Sequence, residues 1–133
     1  LKDKRLPPLD QNAAMFFNRQ AVDDQYGGLA FEEEGKRCAE LMADPKVKTL
    51  VMGNHGIMVI GDTVAETFNR MYLFERAAQI YITALQTGQT LDILSDEVAE
   101  KTAREIEEYP GGDHHHLDEL KAILDEEGSD YAT

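Results

Sequence analysis

Two short apolar runs, Val47 to Met52 and Ile57 to Ile60, meet at Gly53-Asn54-His55-Gly56, and this constrains the fold more than any other stretch of the chain. The runs are rich in β-branched and long apolar side chains, while Asn and Gly turn a backbone at low steric cost. The pattern predicts a β-hairpin. A lone hairpin is marginal in water, so the sheet needs further strands or a helical cover.

The cover is legible downstream. Gly61 closes the second strand, and Thr63-Val64-Ala65-Glu66 has the spacing of a capping box, opening a long helix that ends at Gly88. Val64, Phe68, Met71, Ala78, Ile82 and Leu85 recur at helical spacing and predict its inward face. Glu75 fills the gap in that series, so a carboxylate is predicted to point inward. Phe31 to Ala43 reads as another helix, with Glu32, Glu33 and Glu34 in its first turn and Phe31, Gly35, Cys38, Ala39 and Met42 along one side; Asp44-Pro45 ends it. Ser95 caps a third, with Val98, Thr102, Ala103, Ile106 and Tyr109 on one side and Pro110-Gly111-Gly112 as its stop. A last helix is predicted from about His115 to Leu124.

Residues 1 to 30 are turn-rich, with Pro7-Pro8, Asp10-Gln11-Asn12, and Asp23-Asp24 leading to Gly27-Gly28. Ala13 to Val22 fits a short helix followed by a strand, although periodicity does not settle it. A sheet of more than two strands has to draw on this region or on chain outside the sequence. The fold class read from these elements is α/β, of the α+β type.

With 133 residues the chain is one domain or part of one, and it opens on Leu1 in what reads as the middle of a sequence. Of the net charge of −13, residues 92 to 133 carry −11, from fourteen acidic and three basic side chains. The tail is thus an acidic helical segment from about residue 92. Such a surface repels phosphate backbones and argues against nucleic acid as a partner. No run approaches the ~20 apolar residues of a membrane span, and no secretory leader is visible. The single cysteine, Cys38, excludes an internal disulfide and makes a cytoplasmic setting the default expectation.

His55 is the first candidate site residue. It sits at a strand-to-strand corner where Asn54 and Gly56 set the turn, and an imidazole there either fills the turn or holds a metal together with other ligands. The turn alone does not decide. Glu75 is the second: it either reaches solvent from the edge of its stripe or accepts a hydrogen bond from a ligating histidine. His114, His115 and His116 are consecutive, so from a helix they cannot all face one ion. Cys38, on an apolar face, reads as a structural thiol.

The run LVMGNHGIMVIGDTVAETFNRMYLFERAAQIYITALQTGQ, followed by LDILSDEVAEK, resembles the C-terminal half of the class II aldolase/adducin family, and RLPPLDQNAAMFF with VDDQYGGLA resembles the preceding segment of its adducin-like branch. The resemblance implies a three-layer α/β/α sandwich with a mainly antiparallel central sheet, assembled as a homo-oligomer, usually a tetramer. It also implies a divalent metal, commonly zinc, on three histidines, where it polarises a carbonyl and stabilises an enediolate as a C–C bond breaks. His55 matches the third histidine. The other two belong to a His-x-His element that this chain lacks, so residues 1 to 133 are expected to be the C-terminal part of such a domain and inactive alone. The expected function is a share in an aldolase-type lyase acting on a small hydroxy-carbonyl compound such as a sugar or sugar phosphate. The alternative is an adducin-like, non-catalytic interaction module.

Overall fold

A computed structural model describes residues 1–27, 31–109 and 111–132; the second glycine of the Gly27-Gly28 turn and the Pro110 helix stop lie outside them. The elements run α1 (Gln11–Ala14), β1 (Gln20–Asp23), α2 (Glu32–Leu41), β2 (Thr49–Met52), β3 (Gly56–Val59), α3 (Val64–Gln86), α4 (Asp96–Glu108) and α5 (Gly112–Glu126). The three strands form one sheet in the order β1-β2-β3. β1 lies parallel to β2, with Ala21 beside Leu50, and β3 returns antiparallel, with Met58 beside Leu50. The hairpin is therefore as expected, and the third strand comes from the first 30 residues.

Alternation along the strands sorts their side chains between two helical layers. Ala21 and Leu50 pack with Cys38 of α2 on one face, joined by Met52 and Met58. On the other face Val51 and Ile57 meet a cluster built from Phe16, Phe74 and Ala77. Phe16 and Phe74 lock α1 to α3 edge to face, with centroids 5.0 Å apart. The result is an α/β fold with helices on both faces of the sheet. Among the described residues the sheet has one parallel and one antiparallel pairing.

Local signals hold at the helix starts. The Thr63 hydroxyl accepts from the Glu66 amide at 3.1 Å, as in a capping box, and the Glu66 carboxylate accepts from the amide of Asp62, one residue before the cap, at 2.7 Å. Ser95 caps α4 through the Val98 amide. Gly88 and Gly128 follow α3 and α5 at φ of 68° and 66°, the left-handed conformation that ends helices on glycine.

The inward face of α3 differs from expectation. Val64 is 77% exposed, Ile82 42% and Met71 38%, and Glu75 is exposed as well. The residues packed on the core are Leu73, Phe74, Ala77, Ala78 and Tyr81, a stripe displaced by about one residue around the helix. The physical reason is that α3 is covered on two sides. Phe68, Asn69 and Tyr72 receive α5 through His116, whose ring lies 4.6 Å from Tyr72 and whose Nδ1 is 2.9 Å from the Asn69 amide oxygen. A helix packed against partners on two sides has no single apolar stripe for periodicity to find. The histidine triplet is split accordingly: His116 is half-buried, while His114 and His115 are exposed.

In α2 and α4 the expected faces hold in part. Phe31, at the N-cap of α2, is 67% exposed, while Cys38 and Met42 turn inward as expected, joined by Leu41. In α4, Val98 and Tyr109 face solvent, while Ala103 is buried as expected together with Ala99, both small enough to bring the helix close to α1, and Thr102 and Ile106 are half-buried. α4 is also held by charge. Arg19, just before β1 and only 4% exposed, donates Nε and Nη2 to the two Glu107 oxygens at 2.9 and 3.0 Å and Nη1 to Glu100. Glu107 above all, with Glu100, pushes the already high pKa of the guanidinium further up. Nothing in the sequence spacing pairs residue 19 with residues 81 and 88 positions away.

Candidate functional site

The Asn-His-Gly corner is built from the strand ends upward. The His55 amide donates to the Met52 carbonyl at 3.0 Å, closing a β-turn in which Asn54 takes a left-handed φ of 56°, a conformation that Asn tolerates better than most residues. Gly53 donates to the Asp23 carbonyl at 2.8 Å, tying the corner to the end of β1. A Cβ at Gly53 would stand 3.1 Å from that carbonyl oxygen and 3.1 Å from the Lys4 side chain, so the close approach needs glycine. At Gly56 a Cβ would meet open space, which leaves the turn accessible from that side.

His55 is exposed, and the Tyr26 ring packs against it with centroids 4.8 Å apart. Among the described residues, no hydrogen bond or ion pair engages its ring nitrogens. Beneath it, Asp23 is 2% exposed and receives both Nε and Nη2 of Arg37 from α2. These bonds hold the Asp23 carboxyl below the usual carboxylate range. The Asp23–Arg37 pair thus fixes the strand end and α2 relative to each other, and Tyr26 follows from the same strand. Sequence reading treated Asp23 as a turn residue and did not single out Tyr26 or Arg37; an acidic residue at a strand end was the only signal available.

Glu75 is placed differently. Its Oε1 accepts from Gln79 one turn along α3 at 3.5 Å, on the exposed side of the helix. The inward carboxylate expected from the helical series is thus replaced by Phe74, and no contact joins Glu75 to His55. Cys38 is buried between α2 and the sheet, as a structural thiol.

A catalytic metal needs about three protein ligands. Among the described residues no group of three or more His, Cys, Asp or Glu side chains converges as a metal site. His55 fits one coordination position, and the residues of this chain do not by themselves fit the metal that the resemblance implies. Two hollows flank the sheet. One, of about 560 Å³, is apolar and borders the corner: Tyr26, Cys38, Met42, Met52, Met58 and Ile60 contribute to its wall. The other, of about 710 Å³, lies near the start of β2 and carries both signs of charge, including Lys46, Lys48, Arg70, Glu105 and Asp113. Arg70 there is already paired with Glu66 at 2.8 Å. No described helix is long and apolar enough to cross a membrane.

Comparison with known proteins agrees with this architecture. Residues 1–82 match the family model described as class II aldolase and adducin N-terminal domain. The decarboxylase NovR of Streptomyces niveus is 29% identical over 104 residues, which cover 77% of this chain and 37% of that protein. Human β-adducin is 29% identical over 83 residues, covering 62% of this chain and 11% of its own length. An aldolase II superfamily protein from Pseudomonas syringae superposes with a TM-score of 0.81 at 25% identity, over 95% of this chain and 51% of the other. The chain spans well under half of these curated relatives and about half of the solved structure. The matched region holds the Asn-His-Gly corner and most of α3, and on that basis the chain belongs to the class II aldolase and adducin family.

Proposed function

We propose that this chain carries one imidazole, His55, of a divalent-metal site, most simply a zinc site, in an aldolase-type lyase whose substrate is a small hydroxy-carbonyl compound. The observation that carries the reading is the exposed His55 ring, braced on one side by Tyr26 and with both nitrogens unengaged, at a corner that Gly53 and Asn54 hold in place. The remaining ligands belong to the part of the fold that the chain does not span. Homo-oligomeric assembly, as a tetramer, forms part of the same proposal. Glu75 has no orienting role in it.

The test is zinc titration by calorimetry on a complete protein containing this chain, alongside a screen for cleavage of hydroxy-carbonyl compounds. His55→Ala should lower bound zinc and activity together while leaving the unfolding midpoint within about 2 °C, since the ring is exposed. Full zinc occupancy in that variant would remove His55 from the site. A second reading, the adducin-like interaction module, is favoured by the β-adducin match. It predicts no zinc uptake in the complete protein at all.

A further inference from the structure

The His55 corner is held by one short segment, residues 23 to 27, at the end of β1. The Asp23 carbonyl takes the Gly53 amide at 2.8 Å, and the Tyr26 ring lies against the His55 ring at 4.8 Å with an interplanar angle of 36°. Past the buried Asp23 this segment runs toward solvent, with Asp24, Gln25 and Gly27 exposed. Its conformation therefore rests on the groups that grip its backbone.

Two side chains of α2 supply that grip. Arg37 donates Nε to both Asp23 oxygens, at 3.1 and 3.0 Å, and Nη2 to the Gln25 carbonyl at 3.4 Å. The Asp23 carboxylate also accepts from the Gln25 amide at 2.9 Å. Glu34 accepts from the Gly27 amide through Oε1. The Gln25 carbonyl and the Gly27 amide belong to the two planar peptide groups on either side of Tyr26, so α2 holds both planes that direct the Tyr26 side chain. Residues 34 and 37 are three apart, which places them on one helix face, and Arg37 Nη2 lies 3.7 Å from Glu34 Oε1. A Cβ at Gly27 would stand 2.8 Å from that oxygen, so glycine there admits the carboxylate.

We infer that Glu34 and Arg37 are positioning residues for the His55 imidazole, acting through Tyr26. α2 sets the segment, the segment sets the phenol ring, and the ring sets the direction of the imidazole. The inference rests on the reading of His55 as a site residue. Its ring is exposed and, among the described residues, no hydrogen bond engages its nitrogens, so the Tyr26 ring is the partner that restricts its side-chain torsions. A group at such a site has to be held within about 0.5 Å of its working geometry. Arg37 suits the task because its planar fork spans a carboxylate and a carbonyl at once, which the single ammonium of a lysine does not.

The test uses a complete protein containing this chain, isotope-labelled at histidine Cε1 and studied by NMR without zinc, with the His116 ring as internal control. The His55 signal should carry a ring-current shift from Tyr26, which Tyr26→Ala abolishes. Arg37→Met and Glu34→Ala should each remove most of that shift and speed ring motion, while the His116 signal stays in place. Glu34→Gln, which keeps an acceptor oxygen for the Gly27 amide, should retain the shift, and Arg37→Lys should lose it. Zinc titrated into the same proteins should bind about tenfold more weakly in Arg37→Met and Glu34→Ala, and at parent strength in Glu34→Gln. Unchanged His55 signals in Glu34→Ala and Arg37→Met would overturn the inference; Glu34→Ala, which leaves the buried Asp23–Arg37 pair intact, answers alone if the other variant fails to fold. Equal changes at His55 and His116, the mark of general loosening, would overturn it as well. Full zinc occupancy in His55→Ala would instead overturn the metal reading beneath it, and is told apart because the ring signals are read without zinc.

Discussion

Arg19 offers the sharpest test of how the acidic C-terminal helices are held. Replacing it with Met keeps much of the apolar stem and removes three charge-assisted hydrogen bonds to Glu100 and Glu107. Removing one partner of a buried ion pair costs about 3–5 kcal/mol. That is an upper limit here, because the Glu100 and Glu107 side chains are 31% and 42% exposed and regain water once released. We expect a loss of about 2–3 kcal/mol. At this chain length each kcal/mol moves the unfolding midpoint by roughly 3–5 °C, so Arg19→Met should unfold about 6–15 °C lower in a circular-dichroism melt. Glu107→Gln should cost less, and the double variant should fall short of the sum, since both changes break the same fork. Hydrogen exchange should show α4 losing protection before α3 does. A midpoint within about 2 °C of the parent, or strictly additive losses, would refute the view that Arg19 anchors α4.

Further outcomes follow from burial and charge. The Asp23 carboxyl titrates lower in the folded chain than its unfolded value of about 3.9, so its contribution is complete above that pH and is lost as pH falls through the folded pKa. Asp23→Asn should therefore lower the melting temperature at neutral pH and flatten its decline below about pH 4; parallel curves for the two proteins would contradict this. Phe74→Ala should cost about 3–5 kcal/mol in urea unfolding, and Ile82→Ala under about 1 kcal/mol, with the reverse order restoring the face read from periodicity. Glu75→Gln should leave stability within about 0.5 kcal/mol, and a larger loss would place that carboxylate in a contact the structure does not contain. His116→Ala should speed hydrogen exchange in α5 while leaving β2 unchanged, and equal effects on both would show that α5 is part of the global folding unit.

The helix caps and the hairpin were legible because each depends on residues within four positions of one another. Thr63 with Glu66, Ser95 with Val98, and Asn54 in the turn between Gly53 and Gly56 act locally, and no distant partner overrides them. His55 could be selected as a site residue for the same reason, together with the family pattern around it. Tyr26 and the Asp23–Arg37 pair could not, since they reach the corner only after β1 lies parallel to β2.

What the sequence determined by itself was therefore the inventory: which segments are helices, where the strands turn, and which histidine stands at the corner. The tertiary structure decided which side of each helix faces in. α3 turns Phe74 and Tyr81 to the core and Phe68 and Tyr72 to α5, so its helical period holds two contacting sides and exposes Glu75 between them. Periodicity reports that a helix has an apolar side, but only the neighbours that pack against it select which residues form that side.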